Sequence, residues 1–146
     1  MLKHREASRL SAEQLDHALN HESGLLGISG ISSDMRDVVA AMRAGNDRAQ
    51  LAFDIFIHRL TQEIGAMAAS LGGLDALVFT AGIGENSPEV RAAACEKLGF
   101  LGIRLDDARN CLSEPDAEIS STASKARVLV IRAQEDWAIA RKCVGF

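Results

Sequence analysis

The chain has 146 residues, 47% hydrophobic, 25% charged and 4% aromatic, with a net charge of −4. That is one domain's worth of ordinary globular composition, and it is read as a single domain over residues 1–146. Lys and Arg are scattered and stacking surfaces are few, so no nucleic acid is expected as partner; no stretch approaches the roughly 20 apolar residues of a membrane span.

Residues 1–10 are polar and without period, a lead-in or the end of a helix. Ser11 to Gln14 forms a capping-box pattern that predicts a short helix to about Asn20, with Leu15, Ala18 and Leu19 inward. Glu22 to Ser33 is rich in Gly and Ser yet holds Leu25, Leu26, Ile28 and Ile31, which reads as a structured loop with Gly24, Gly27 and Gly30 allowing close packing. Ser32 or Ser33 is expected to cap a helix near Asp34, placing Asp34, Met35 and Arg36 in its first turn. Gly45-Asn46-Asp47 ends that helix and caps the next. From Arg48 to Leu71, Phe53, Phe56, Leu60, Ile64, Met67 and Leu71 recur three or four apart, which predicts a long helix with one buried face. Gly72-Gly73 stops it.

Leu74 to Pro88 organises the rest. Ala76 to Phe79 is a short apolar run that reads as a buried strand, followed by Gly82 and Gly84 flanking Ile83, where the backbone can take positive φ and lie close to another group. Asn86 or Ser87 can cap a helix with Pro88 in its first turn, Glu89 at the dipole's positive end, and Val90, Ala94 and Leu98 on one side up to Gly99. Strand, glycine turn and helix start together are either a nucleotide cradle or a plain β-to-α turn. No Lys-Ser or Lys-Thr follows, so this is no Walker loop, and Ser87 stands where a dinucleotide fingerprint would want its third glycine.

Phe100 to Leu105 reads as a strand or extended packing segment, Asp106-Asp107 as the start of a turn or two of helix, and Ser113 to Lys125 as a loop around a short strand at Ile119. Arg127 to Ile131 is a β-branched strand, and Glu135 to Cys143 a closing helix anchored by Trp137 and Ile139. Strands alternating with helices give an α/β class, a sheet covered by helices. Cys95, Cys111 and Cys143 are odd in number and widely spaced, which points to free thiols in a reducing compartment and a cytoplasmic location. His4, His17, His21 and His58 show no ligand spacing.

Phe-Thr-Ala-Gly-Ile-Gly-Glu-Asn-Ser, residues 79–87, resembles the adenosine-binding loop of acetate kinases and their propionate and butyrate kinase relatives. Glu22 to Asp37, Phe100 to Asp106 and Val128 to Arg141 follow that family in the same order, so the resemblance covers nearly the whole chain. It implies a partial actin-like, RNase H-like ATPase fold and an ATP-dependent, Mg2+-assisted phosphorylation of acetate to acetyl phosphate, a reaction governed by positioning and charge neutralisation. Carried over by residue, Gly82, Ile83, Gly84 and Asn86 would form the adenosine loop, and Asp34, Met35 and Arg36 would line the ATP/ADP site. Glu135 would match the acidic metal residue, a hard oxygen ligand suited to Mg2+. Without the family, Asp34 and Arg36 read as helix-end charges and Glu135 as a helix-start carboxylate.

Two departures stand out. The family's Thr-Asn-Glu-Glu is here Ala133-Gln134-Glu135-Asp136, and its Asn-Cys-Gly-Ser-Ser-Ser opening, acetate pocket, catalytic Asp, arginines and His are not matched. The resemblance is thus to the C-terminal third or so, which holds no catalytic residue, and the isolated chain is expected to turn over little or not at all. Three readings follow: the C-terminal part of an acetate kinase, a nucleotide-binding module completed by a separate N-terminal half, or a ligand-free remnant held by self-association. The identity of the short-chain carboxylic acid is not readable.

Overall fold

The computed structural model of the chain describes residues 10–112 and 116–144, so most of the expected lead-in and the Pro115 part of the loop lie outside the described residues. The chain divides into two compact units, Met1–Phe56 and Ile57–Phe146.

In the first unit, Ser11 opens helix α1 (Ala12–His21) with the expected capping box: its Oγ accepts from the Gln14 N–H at 3.2 Å and its own N–H donates to Gln14 Oε1 at 2.9 Å. The inward face expected of it is not buried. Leu15 and Leu19 are exposed and α1 contains no buried residue, because periodicity marks an apolar face without supplying what covers it. The segment expected as a loop instead contains α2 (Gly24–Ser29), set between Gly24 at φ 61° and Gly30 at φ 70°. At Gly27 a Cβ would meet the Glu22 carbonyl oxygen at 2.8 Å, so close packing is required there. The cap of α3 (Met35–Arg43) is Asp34, not Ser32 or Ser33; Asp34 Oδ1 accepts from the Arg36 N–H at 2.8 Å. Ser32 takes a supporting place, its Oγ accepting from the Asp34 N–H at 3.0 Å and donating to Asp37 at 2.7 Å.

Asn46 caps α4 (Asp47–Leu71), its Oδ1 accepting from the N–H groups of Arg48 and Ala49 at 3.0 and 2.9 Å. Phe53 is buried as expected, with Ala49, Ala52, Ile57 and Ala68 on related turns. Met67 and Leu71, expected on the same buried face, are 57% and 75% exposed, since the last turns drift off that stripe.

In the second unit, β1 (Ala76–Phe79), β2 (Ala117–Glu118) and β3 (Arg127–Val130) form a sheet in the order β1-β3-β2. β1 runs parallel to β3 with Phe79 opposite Val130, and β2 runs antiparallel to β3. Between them lie α5 (Ala81–Asn86), α6 (Pro88–Lys97), a 3-10 turn (Gly99–Leu101) and α7 (Asp107–Leu112), and α8 (Glu135–Val144) follows β3. The core gathers Phe79, Val128 and Val130 from the sheet, Ala94, Cys95 and Leu98 from α6, and Ile103, Ile119 and Ala126 from the connections. Full burial of such a Val, Leu or Ile contributes about 1.5–3 kcal/mol.

The face that carries Phe79, Val128 and Val130 is the buried one. β1 was expected to be buried, yet Val78 is 49% exposed beside the buried Phe79, because successive strand residues point to opposite faces. Trp137 and Ile139, expected as anchors of the closing helix, are likewise exposed. Phe100 to Leu105 is the packing segment and not the strand: the 3-10 turn is capped by Gly102 at φ 81°, Ile103 is buried in the core, and Leu105 makes a single bridge to Ser120.

Candidate nucleotide-facing cleft

Because β1 and β3 are parallel, the segments leaving them emerge at the same end of the sheet. One is α5, the other is the run from Ile131 into α8. Crevices outside the carboxyl ends of parallel strands are where open α/β sheets bind ligands. Here such a cleft exists, about 280 Å³, lined by Ala81, Gly82, Glu85 and Asn86 on one wall and Ala133, Glu135 and Asp136 on the other.

The glycine segment is not the open turn that the sequence suggests. Residues 81–86 form a helical turn and a half, and neither Gly82 nor Gly84 has positive φ; Ala81 takes the left-handed region instead, at φ 58°. A residue with a Cβ held there costs on the order of 1–2 kcal/mol, a strain placed on the rim of the cleft. The two glycines do different things. A Cβ on Gly82 would meet nothing within 4 Å, whereas one on Gly84 would lie 3.3 Å from the Phe79 carbonyl carbon. Gly82 thus lines the cleft with room beside it, and Gly84 lets α5 close onto the end of β1.

Contacts within α5 and from α6 fix this segment. Asn86 Nδ2 donates to the Gly82 carbonyl at 2.8 Å. Ser87 caps α6 as expected, its Oγ accepting from the Val90 N–H at 3.4 Å, with Pro88 in the first turn. Arg91, 1% exposed, donates through Nη1 to the carbonyls of Gly84 and Glu85 at 2.8 and 2.7 Å, and through Nε and Nη2 to Asn110 at 2.8 Å. Burial lowers the Arg91 pKa from its ordinary value, yet the guanidinium stays charged and its bonds to the carbonyls are charge-assisted. Glu85 crosses the cleft, where its Oε1 accepts from the Ala133 N–H at 2.7 Å.

The structure brings Gly82, Asn86 and Glu135 together on one cleft. Ile83 and Gly84 are half-buried and do not line it. Asp34, Met35 and Arg36 belong to the first unit. There Met35 is 3% exposed, so the apolar face expected of it is turned inward by the same α3 side that buries Val38 and Val39. Arg36 Nε donates to both oxygens of Asp34 at 3.1 Å, and its Nη2 to one of them at 2.5 Å. That guanidinium, with the backbone bond, lowers the Asp34 carboxyl to about 2, so the helix-end role is the one this geometry performs.

Sequence reasoning gave no place in the site to Glu85, Arg91 or Asn110, and named Ala133 and Asp136 only as departures from the family's wording. An arginine among Val90, Ala94 and Leu98 was the one signal available, a charge on an otherwise apolar face that must find partners. Among the described residues no three His, Cys, Asp or Glu side chains form a metal-holding group, and no helix is long and apolar enough to cross a membrane.

The model of the acetokinase family matches residues 2–141. The chain belongs to the acetokinase family. An acetate kinase of Nostoc punctiforme is 61% identical over 133 residues, 91% of this chain and 33% of the relative. The crystal structure of the Porphyromonas gingivalis acetate kinase superposes with a TM-score of 0.87 at 37% identity, covering 99% of this chain and 36% of that one. A propionate kinase from Francisella tularensis gives 0.85 at 35% identity over 97% of this chain and 36% of that one. The fold is that of a segment of these kinases, the partial actin-like ATPase arrangement that the resemblance implied. This acetokinase-family chain spans about a third of the length of the curated relatives it matches.

Proposed function

We propose that this chain is the nucleotide-binding, C-terminal part of an acetate kinase, and that its cleft takes the adenosine side of ATP or ADP. The observation that carries the reading is the cleft itself, lined by Gly82, which bears no side chain, and exposed Asn86 at the carboxyl ends of β1 and β3. At about 280 Å³ the cleft is near the lower end of ligand pockets, suited to part of a nucleotide. It is built from the second unit alone, and the nucleotide contacts implied for Asp34, Met35 and Arg36 rest on family resemblance.

Glu135 and Asp136 open α8 on the opposite wall, and both are exposed carboxylates. Mg2+ takes one or two carboxylates and fills its remaining positions with water and phosphate oxygens, so this donor set fits it without a three-ligand protein cage. Bound there, the ion would supply charge neutralisation for the nucleotide phosphates. The chain's own residues hold the nucleotide: Gly82 by leaving space, Asn86 by fixing the Gly82 carbonyl, and Ala133 by closing the wall.

The acceptor in this reading is the carboxylate of a short-chain acid, bound by parts of a full-length kinase that this third does not contain. The isolated chain then binds nucleotide but transfers little phosphate. Exposed Val78, Trp137 and Ile139 support a further polypeptide or a second copy covering these surfaces, and the three free cysteines support a cytoplasmic setting. The reading is tested by titration calorimetry of the purified chain with MgATP. Binding that disappears in Gly82→Val supports it, and a folded wild-type chain that gives no heat overturns it.

A further inference from the structure

Resting on the nucleotide reading, we propose that Glu85 is a positioning residue, a strut that sets the separation of the two cleft walls through the Ala133 N–H.

Glu85 is held at both ends. Its own carbonyl accepts from buried Arg91 Nη1 at 2.7 Å, which fixes its backbone from beneath the cleft. Its carboxylate reaches a residue 48 positions away and accepts from the Ala133 N–H at 2.7 Å. Ala133 lies between the end of β3 and Glu135, so this bond joins the Gly82–Asn86 wall to the Glu135–Asp136 wall. Beyond the sheet pairing of β1 with β3, and the bond from the Ile131 N–H to the Phe79 carbonyl at 2.9 Å that extends it, the Glu85–Ala133 bond joins these two outgoing segments. The strut therefore lies beyond the last rung of the ladder and one residue past the Arg132 N–H, which donates to Asp116 Oδ1 at 3.2 Å, so it is the contact that ties this path to the opposite wall.

What the strut requires is an oxygen that accepts, not a negative charge. That separates it from a metal-holding role, in which the carboxylate charge itself would be needed. It also separates it from bulk stability, since Glu85 is half-exposed and outside the apolar core.

The test compares Glu85→Ala and Glu85→Gln in the full chain by amide hydrogen exchange at Ala133 and by calorimetry with MgATP, with far-UV circular dichroism as the check on folding. In Glu85→Ala, exchange at Ala133 rises and MgATP affinity falls, each about tenfold, while the helical signal is kept. Glu85→Gln, whose amide oxygen still accepts, restores both to near the wild-type values. Unchanged Ala133 exchange in Glu85→Ala overturns the strut. Affinity as poor in Glu85→Gln as in Glu85→Ala overturns it in favour of a charge or metal role. Wild-type protein that protects Ala133 through Glu85 but binds no MgATP overturns the nucleotide reading, and with it the positioning role, leaving a structural contact only.

Discussion

The Cβ that Gly84 lacks would stand 3.3 Å from the carbonyl carbon of Phe79, so the close seat of α5 on the end of β1 depends on that one missing atom. Gly82, two residues earlier in the same helical turn, has open space in the corresponding direction. The two glycines are expected to separate cleanly by mutation. Gly84→Val overpacks the joint and lowers stability by about 1–3 kcal/mol, read as a fall in the urea midpoint. Gly82→Val leaves the midpoint within about 0.5 kcal/mol of wild type and abolishes nucleotide binding. A larger loss of stability in Gly82→Val than in Gly84→Val contradicts the assignment.

Arg91 and Asn110 form a buried pair 19 residues apart, with Asn110 Nδ2 also donating to the Pro88 carbonyl at 2.9 Å. Removing the guanidinium strands the Gly84 and Glu85 carbonyls. Arg91→Met is expected to cost about 3 kcal/mol and Asn110→Ala about 2 kcal/mol. The double variant should cost clearly less than the two together, because both delete the same bonds. Urea unfolding of the four proteins checks this, and simple additivity would show that the pair does not act as a unit.

Asp34 predicts a pH dependence. Its bonds from Arg36 hold the folded carboxyl at about 2, below the ordinary 3.8. A group depressed on folding contributes stability that is fully present above its unfolded value and is lost as the pH falls through the folded one. The difference in urea midpoint between wild type and Asp34→Asn should thus be constant above about pH 5 and vanish toward pH 2. It should be small and shrink in high salt, since the pair is exposed.

Cysteine reactivity should divide two to one. Burial pushes the Cys95 thiol up to about 12, whereas Cys111 and Cys143 are exposed. At pH 8 a thiol reagent is expected to titrate two groups per native chain and the third only after denaturation. Three fast-reacting thiols in the folded protein would show that α6 does not bury Cys95 as described.

Glu85, Glu135 and Asp136 give the cleft three carboxylates. Nucleotide phosphates entering it meet like charge unless a divalent cation accompanies them. Under the nucleotide reading, chelation of Mg2+ should weaken ATP at least about tenfold while leaving uncharged adenosine unaffected, and Glu135→Gln should weaken MgATP more than adenosine. Calorimetry with the two ligands checks both, and equal sensitivity of adenosine would remove Glu135 and Asp136 from the metal's surroundings.

By itself the sequence determined the local events. Ser11 with Gln14, Asn46, and Ser87 with Pro88 set where helices start, because a cap is satisfied by backbone groups within three residues. The spacing of Val90, Ala94 and Leu98 named the buried side of α6, and the wording of residues 79–87 named the family. The tertiary structure alone decided which apolar faces are covered and how the cleft is held. Leu19, Val78, Trp137 and Ile139 are as apolar as their buried counterparts, yet burial depends on what packs against them, which periodicity does not contain. The Glu85–Ala133 and Arg91–Asn110 contacts join residues 48 and 19 apart, and only the parallel pairing of β1 with β3 and the folding back of α7 bring those partners within reach.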